Sequence, residues 1–140
     1  MKGLTQLGAL DLRATQVSDA GLEHLNGLAQ LQFLDLGRTQ VTDVGLQHLR
    51  GLTKLQRLDL RENQVTDVGV GHLKGLTKLQ WLNLWGTQVS DEGLDDLKGL
   101  TELQWLDLGR TQATDAGMKG LQKALPNCII RALWFWENRP

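Results

Sequence analysis

Apolar and polar positions change their rhythm twice within every 24 residues of this chain. Around Leu58 they alternate: Leu58 and Leu60 are apolar, while Arg57, Asp59 and Arg61 are polar. Alternation sends the two sets to opposite faces of a strand. Elsewhere in the unit the apolar spacing lengthens, so that Leu46 and Leu49 suit one side of a short helix. Thr42 or Asp43 supplies its N-cap, and Asp43 also suits the positive end of the helix dipole. Gly51 follows as a stop. The predicted unit is strand, turn, short helix, turn.

Leu34, Leu58, Leu82 and Leu106 stand 24 residues apart and set the register of five units, 3–26, 27–50, 51–74, 75–98 and 99–122. In the third unit the apolar positions are Leu52, Leu55, Leu58, Leu60, Val65, Val70 and Leu73. A strand and a short helix are marginal alone. Stacked copies turn the apolar positions into columns of one continuous core. The segment 123–140 breaks this register and is expected to close the stack as a half-unit. Its last strand spans 127–133, and its inward and outward faces are open to a one-residue choice. Trp134, Phe135 and Trp136 are expected to form a capping lid.

The motif L-x-x-L-x-L-x-x-N/T occurs five times in register, ending at Thr15, Thr39, Asn63, Thr87 and Thr111. In this motif the chain resembles the leucine-rich-repeat family. The 24-residue length and the TDxGLxxL segment resemble its ribonuclease-inhibitor-like and F-box-associated subclasses and similar bacterial arrays. The resemblance implies an α/β solenoid, a horseshoe segment with a parallel sheet on its concave face and short helices on its convex face. It also implies protein recognition as the usual role. The family's Asn ladder is kept here only at Asn63. A hydroxyl brings one donor where an amide brings two, so this ladder is expected to be weaker or differently built.

Strand positions that point away from the core form columns on the concave face, and their choice reports on something outside the core. One column reads Ala9, Phe33, Arg57, Trp81, Trp105. The next reads Asp11, Asp35, Asp59, Asn83, Asp107, and the third Arg13, Gly37, Arg61, Trp85, Gly109. Core columns hardly change between units, whereas the first and third change at nearly every step, towards aromatic residues and arginine. Those are the commonest types at the energetic centre of an interface, and aromatic patches rimmed by charge mark partner sites. The expected binding residues are Phe33, Arg57, Arg61, Trp81, Trp85 and Trp105, with Asp59, Asn83 and Asp107 beside them. Arg57 is placed to stack on both Phe33 and Trp81. Gly37, Gly86 and Gly109 are expected to leave a shallow pocket near Trp85. The acidic column is read first as structural and second as a contact for a basic partner. The plainer alternative for the aromatics is that they pack on one another and merely cover the sheet.

Composition narrows the function by exclusion. Fifteen Lys and Arg against sixteen Asp and Glu give a net charge of −1, which supports neither nucleic-acid binding nor attraction to an anionic membrane. No apolar run approaches a membrane span, so a soluble chain is expected, and a cytosolic one unless a leader was removed. The single Cys128 makes no internal disulfide and reads as a buried thiol. His24, His48 and His72 recur every 24 residues, but helices on a convex face stand about 8–10 Å apart, too far for one ion to bridge. No metal, cofactor or catalytic residue is expected. The reading is a non-catalytic protein-binding module. A carbohydrate-binding module that uses the tryptophans as platforms, or a structural or engineered repeat scaffold, stands as the alternative. Leu4, Leu7, Leu10, Leu12 and Val17 have no preceding unit over them, so self-association through the first unit is also expected.

Overall fold

The computed structural model describes residues 5–132. The alternating segments form strands at 24-residue intervals: β1 (Ala9–Asp11), β2 (Phe33–Asp35), β3 (Arg57–Asp59), β4 (Trp81–Asn83), β5 (Trp105–Asp107) and β6 (Ile129–Arg131). They lie in chain order in one parallel sheet. Each strand pairs with the next without slippage, so Leu34, Leu58, Leu82 and Leu106 stand side by side. The regular strands are short, but the backbone ladder runs past them into the turn. Leu36 N–H donates to the Asp59 carbonyl at 2.9 Å and Arg38 N–H to the Arg61 carbonyl at 3.0 Å.

All seven apolar positions of the third unit are completely buried, as expected for columns covered on both sides. In the first unit Leu7, Leu10, Leu12 and Val17 are only partly buried, where their counterparts Leu31, Leu34, Leu36 and Val41 are at most 1% exposed. Leu4 lies outside the described residues. Among the described residues no helix is long and apolar enough to cross a membrane.

The convex side carries α1 (Asp19–Leu22), α2 (Asp43–Leu46), α3 (Asp67–Gly71), α4 (Asp91–Asp95) and α5 (Asp115–Ala124), with a 3-10 turn after each of the first two. Thr42 is the N-cap of α2, and its hydroxyl accepts from Val44 N–H at 3.4 Å. Asp43 is the first helical residue, and its carboxylate reaches into the following unit. There it accepts Thr66 N–H at 2.8 Å and the Thr66 hydroxyl. The same clasp joins Asp19 to Thr42, Asp67 to Ser90 and Asp91 to Thr114. Bonds from the Thr114 hydroxyl and amide hold the Asp91 carboxyl below its usual range. Gly51 does not end its helix by a left-handed turn. Among the described glycines only Gly86 has a positive φ, and the chain leaves α2 through ordinary right-handed residues such as Arg50.

The Asn ladder is indeed built differently. The hydroxyls of Thr39, Thr87 and Thr111 donate to carbonyls three residues back in their own units, at 2.8, 2.7 and 2.6 Å. The ladder crosses between units at Asn63, which donates to the Leu36 carbonyl at 2.7 Å and the Leu60 carbonyl at 3.1 Å, while its Oδ1 accepts Thr39 N–H at 3.1 Å and lies 3.0 Å from the Thr39 hydroxyl. The Asp clasp therefore carries the side-chain link between units that the ladder carries at one place only. At the far end, β6 places Ile130 beside Leu106 and Ile129 beside Trp105, so Ile130 faces the core and Ile129 stands exposed. Leu133 and the lid expected from Trp134, Phe135 and Trp136 lie outside the described residues.

Candidate functional site

Strand pairing sets Phe33, Arg57, Trp81, Trp105 and Ile129 in one row on the concave face. The row is not a set of independent side chains. The indoles of Trp81 and Trp105 stack with centroids 4.5 Å apart and planes within 4°, and the Arg57 guanidinium lies over Trp81 at 4.0 Å. Parallel strands hold neighbours about 4.8 Å apart, close to the separation that stacked rings prefer, so the sheet presets the stack. Arg57 lies over Trp81 alone and not over Phe33 as well. Both Trp rings are half-buried, Phe33 is 48% exposed and Ile129 62%. The tryptophans thus pack on each other, as the plainer reading held, and still present a fixed edge to solvent.

The second row ends the strands. Asp35, Asp59 and Asp107 each accept, through Oδ1, the N–H two residues on, from Gly37, Arg61 and Gly109 at 2.9, 3.0 and 2.8 Å. Asn83 does the same for Trp85 at 3.0 Å. The chain then turns away through left-handed residues, Arg38 (φ 55°), Glu62 (φ 55°), Gly86 (φ 72°) and Arg110 (φ 54°). Asp59 and Asn83 are buried at 7% exposure each, so they form a floor rather than a contact surface. Burial pushes the Asp59 carboxyl up, and neighbouring Asp35 adds to this against the Arg61 amide and charge. Burial likewise raises Asp107, opposed by Gly109 N–H and Arg131.

A carboxyl raised in the folded state binds protons there more readily than in the unfolded chain. Its contribution to stability therefore falls as pH rises from the unfolded pKa through the folded one. Asn83 shows that an amide fills the same role, so Asp59→Asn is expected to raise Tm at pH 7. The gain should vanish near pH 3.5, roughly where an ordinary Asp is protonated in either state. Thermal melts at the two pH values check this, and a loss of stability at pH 7 would show that the Arg61 attraction outweighs the burial cost.

The third row departs from expectation. The spaces over Gly37 and Gly109 are filled, not open. A Cβ on Gly37 would stand 3.1 Å from Arg61 Nε, and one on Gly109 2.6 Å from Trp85 Cδ1. Arg61 thus leans towards β2 and Trp85 towards β5, where the Arg110 guanidinium lies 5.4 Å from the Trp85 ring. Their parting leaves a recess of about 270 Å³ lined by Arg38, Arg61, Glu62, Asn83, Trp85 and Asp107. Opposite charges balance in it, and Arg38 is paired with Glu62. Arg61 Nε is buried there without a hydrogen-bond partner among the described residues.

One row escaped the sequence reading. Gln32, Gln56, Gln80 and Gln104 stand just ahead of β2 to β5, and their recurrence without a core duty was the available signal. Their side-chain amides make no hydrogen bonds among the described residues. With Phe33, Arg57, Trp81 and Trp105, the last three line a groove of about 280 Å³.

The buried Cys128 thiol is pushed up to about 11 by desolvation, so it stays protonated at neutral pH. His72 Nδ1 is engaged by Arg50 Nε at 3.1 Å, and burial and that charge together lower its pKa. Among the described residues no three His, Cys, Asp or Glu side chains converge as a metal site.

The family model for leucine-rich repeats matches residues 29–89 and 53–112, more than half of the chain. The chain belongs to the leucine-rich repeat family. Proteins of this family commonly mediate protein–protein interaction and are generally non-catalytic. Among solved structures, internalin C2 of Listeria monocytogenes is 32% identical, with a TM-score of 0.71 over 91% of this chain and 61% of its own. A second Listeria monocytogenes internalin, InlF, is 24% identical with a TM-score of 0.67, over 91% of this chain and 42% of that one. A leucine-rich repeat protein of Leptospira interrogans is also 24% identical, with a TM-score of 0.63, over 91% and 37%. At that identity the last two speak for the fold alone. This leucine-rich repeat chain spans less than two thirds of each of the three. A search of curated protein sequences found no match.

Proposed function

We propose that this chain is a non-catalytic binding module that receives a protein partner on its concave face, with Arg57, Trp81 and Trp105 at the centre of the contact. The observation that carries this reading is the stack itself. Three large side chains are held by adjacent strands in one fixed arrangement, so binding does not have to order them, and preorganisation lowers the cost of association. Phe33 and Ile129 extend the apolar row on either side, Arg38, Arg61 and Arg110 line the opposite edge, and the acidic floor lies between.

The stack also argues against Trp81 as a carbohydrate platform. A sugar packs on an open ring face, but Arg57 covers one face of Trp81 and Trp105 covers the other. Trp85 lies against Gly109 with Arg110 over its ring.

Affinity of a protein captured from source cells, measured by calorimetry against wild type, Trp105→Ala and Gln47→Ala, tests the proposal. Gln47 is exposed on the convex side and its variant is expected to bind as wild type does. Trp105→Ala is expected to lose most of the affinity. Equal binding by all three would remove the concave face as the site.

A further inference from the structure

The glutamine row has no backbone reason to be glutamine. The Gln56 carbonyl accepts both Gln80 N–H at 2.7 Å and Trp81 N–H at 3.0 Å, and the Gly8 carbonyl does the same for Gln32 and Phe33 at 2.8 and 3.0 Å. Since glycine serves equally well there, the amide heads of Gln56, Gln80 and Gln104 are spare. They line the same groove as the Arg57, Trp81 and Trp105 stack. Each amide offers two donors and one acceptor, which is what an unpaired peptide group requires.

We propose that this groove seats a segment of the partner in the polyproline II conformation, with a partner carboxylate against Arg57. The inference rests on the concave face being the binding site and names what that face takes. A helix would offer the glutamine amides only side chains, because its backbone groups are already bonded to one another. Spacing separates the remaining conformations. Alternate glutamines, such as Gln56 and Gln104, stand two strand steps apart, about 9.6 Å at about 4.8 Å per step. A polyproline II chain repeats every three residues, or about 9.3 Å, and leaves its carbonyls free. A β-strand repeats every two residues, about 6.7 Å, which falls between the rungs. The polyproline form is also stiff before binding, and aromatic-lined grooves suit it.

Charge selects the carboxylate. Arg57 is the one charged residue lining the groove, it is exposed, and it enters no ion pair among the described residues. Asp59, two residues on, is buried and feels the charges of Asp35 and Arg61. The groove is therefore positive at the Arg57 end and neutral along the rest.

Titration of the full chain with three end-blocked synthetic peptides tests the proposal: eight prolines flanked by an aspartate at each end, the same with lysines, and four Gly-Ser pairs flanked by aspartates. Aspartates at both ends allow for either direction along the groove. The Asp-flanked polyproline is expected to bind at least tenfold more tightly than either control. The double variant Q56L/Q104L keeps the bulk of the side chains without their hydrogen bonds, and is expected to weaken that binding at least tenfold at unchanged Tm. Q104L alone, at an exposed position, gives a smaller loss and serves if the double variant does not fold. Absence of binding by the Asp-flanked polyproline, a control peptide that binds as tightly as it does, or full binding by the glutamine variants would overturn the proposal. If the peptides fail while Trp105→Ala still releases the natural partner, the concave face stands and only the assigned segment falls. If both fail, the binding face itself is misplaced.

Discussion

Replacing Gly69 with alanine is expected to cost about 3 kcal/mol of stability, while the same change at Gly51 costs nothing. A Cβ on Gly69 would stand 2.2 Å from Asp43 Oδ1 and 3.0 Å from Leu46 Cδ1. The Asp43 carboxylate has nowhere to retreat without releasing Thr66 N–H and the Thr66 hydroxyl. Each hydrogen bond to a charged acceptor contributes roughly 1.5–3 kcal/mol, and the Thr66 amide would be left without its partner. At about 4 °C per kcal/mol for a domain of this size, Tm should fall by roughly 10 °C. Gly51 has no atom within 4 Å of its Cβ direction and no positive φ, so alanine there trims only the entropy of the unfolded chain.

A double-mutant cycle with Asp43→Ala separates the clash from a general intolerance of alanine. Once the carboxylate is gone, Gly69→Ala should add little further cost. If Gly69→Ala melts with Gly51→Ala, the clasp does not bear on stability. Gly45, Gly93 and Gly117 face Asp19, Asp67 and Asp91 in the same way, so the result extends along the array.

The second large effect falls on binding. Trp81→Ala is expected to weaken the partner at least 30-fold, or about 2 kcal/mol. The variant should remain folded. Trp81 sits in the middle of the stack, so its removal also loosens Arg57 and bares one face of Trp105. Ring stacking contributes about 0.5–1.5 kcal/mol beyond burial, and an exposed cation–π contact about 0.5–1 kcal/mol. A fall in Tm of roughly 4–8 °C is therefore expected, more than an isolated surface tryptophan would give. Calorimetric affinity and a thermal melt on the same sample keep the two losses apart. Full affinity in Trp81→Ala would remove the stack from the interface, and a chain that no longer folds would make the ring a core residue.

Much of this was legible before any coordinates. Leu58 and Leu60, alternating with Arg57 and Asp59, place the rows on their faces, because a 24-residue period and a two-residue alternation leave no freedom of register. The details that were not legible depend on where side chains lean. Gly37 and Gly109 read as open space, yet Arg61 and Trp85 enter it from the neighbouring units. Asp43 reads as a helix-start residue because its partner, Thr66, lies 23 positions further on and local pattern says nothing of it. The glutamine row drew no attention because an unchanging polar residue resembles filler, until the backbone showed that glycine does the same work at residue 8.

The clasp reaches 23 residues and the sheet ladder 24, so both are restored whenever exactly one unit of chain is gained or lost. A gene for such a chain tolerates slippage in whole units and in no other length. Each event would bring different members of the outward rows side by side, as if Arg57 were to meet Trp105 directly. The hidden leucines would keep their neighbours in kind throughout. Recombination can therefore rewrite what this face recognises while leaving what holds it together untouched.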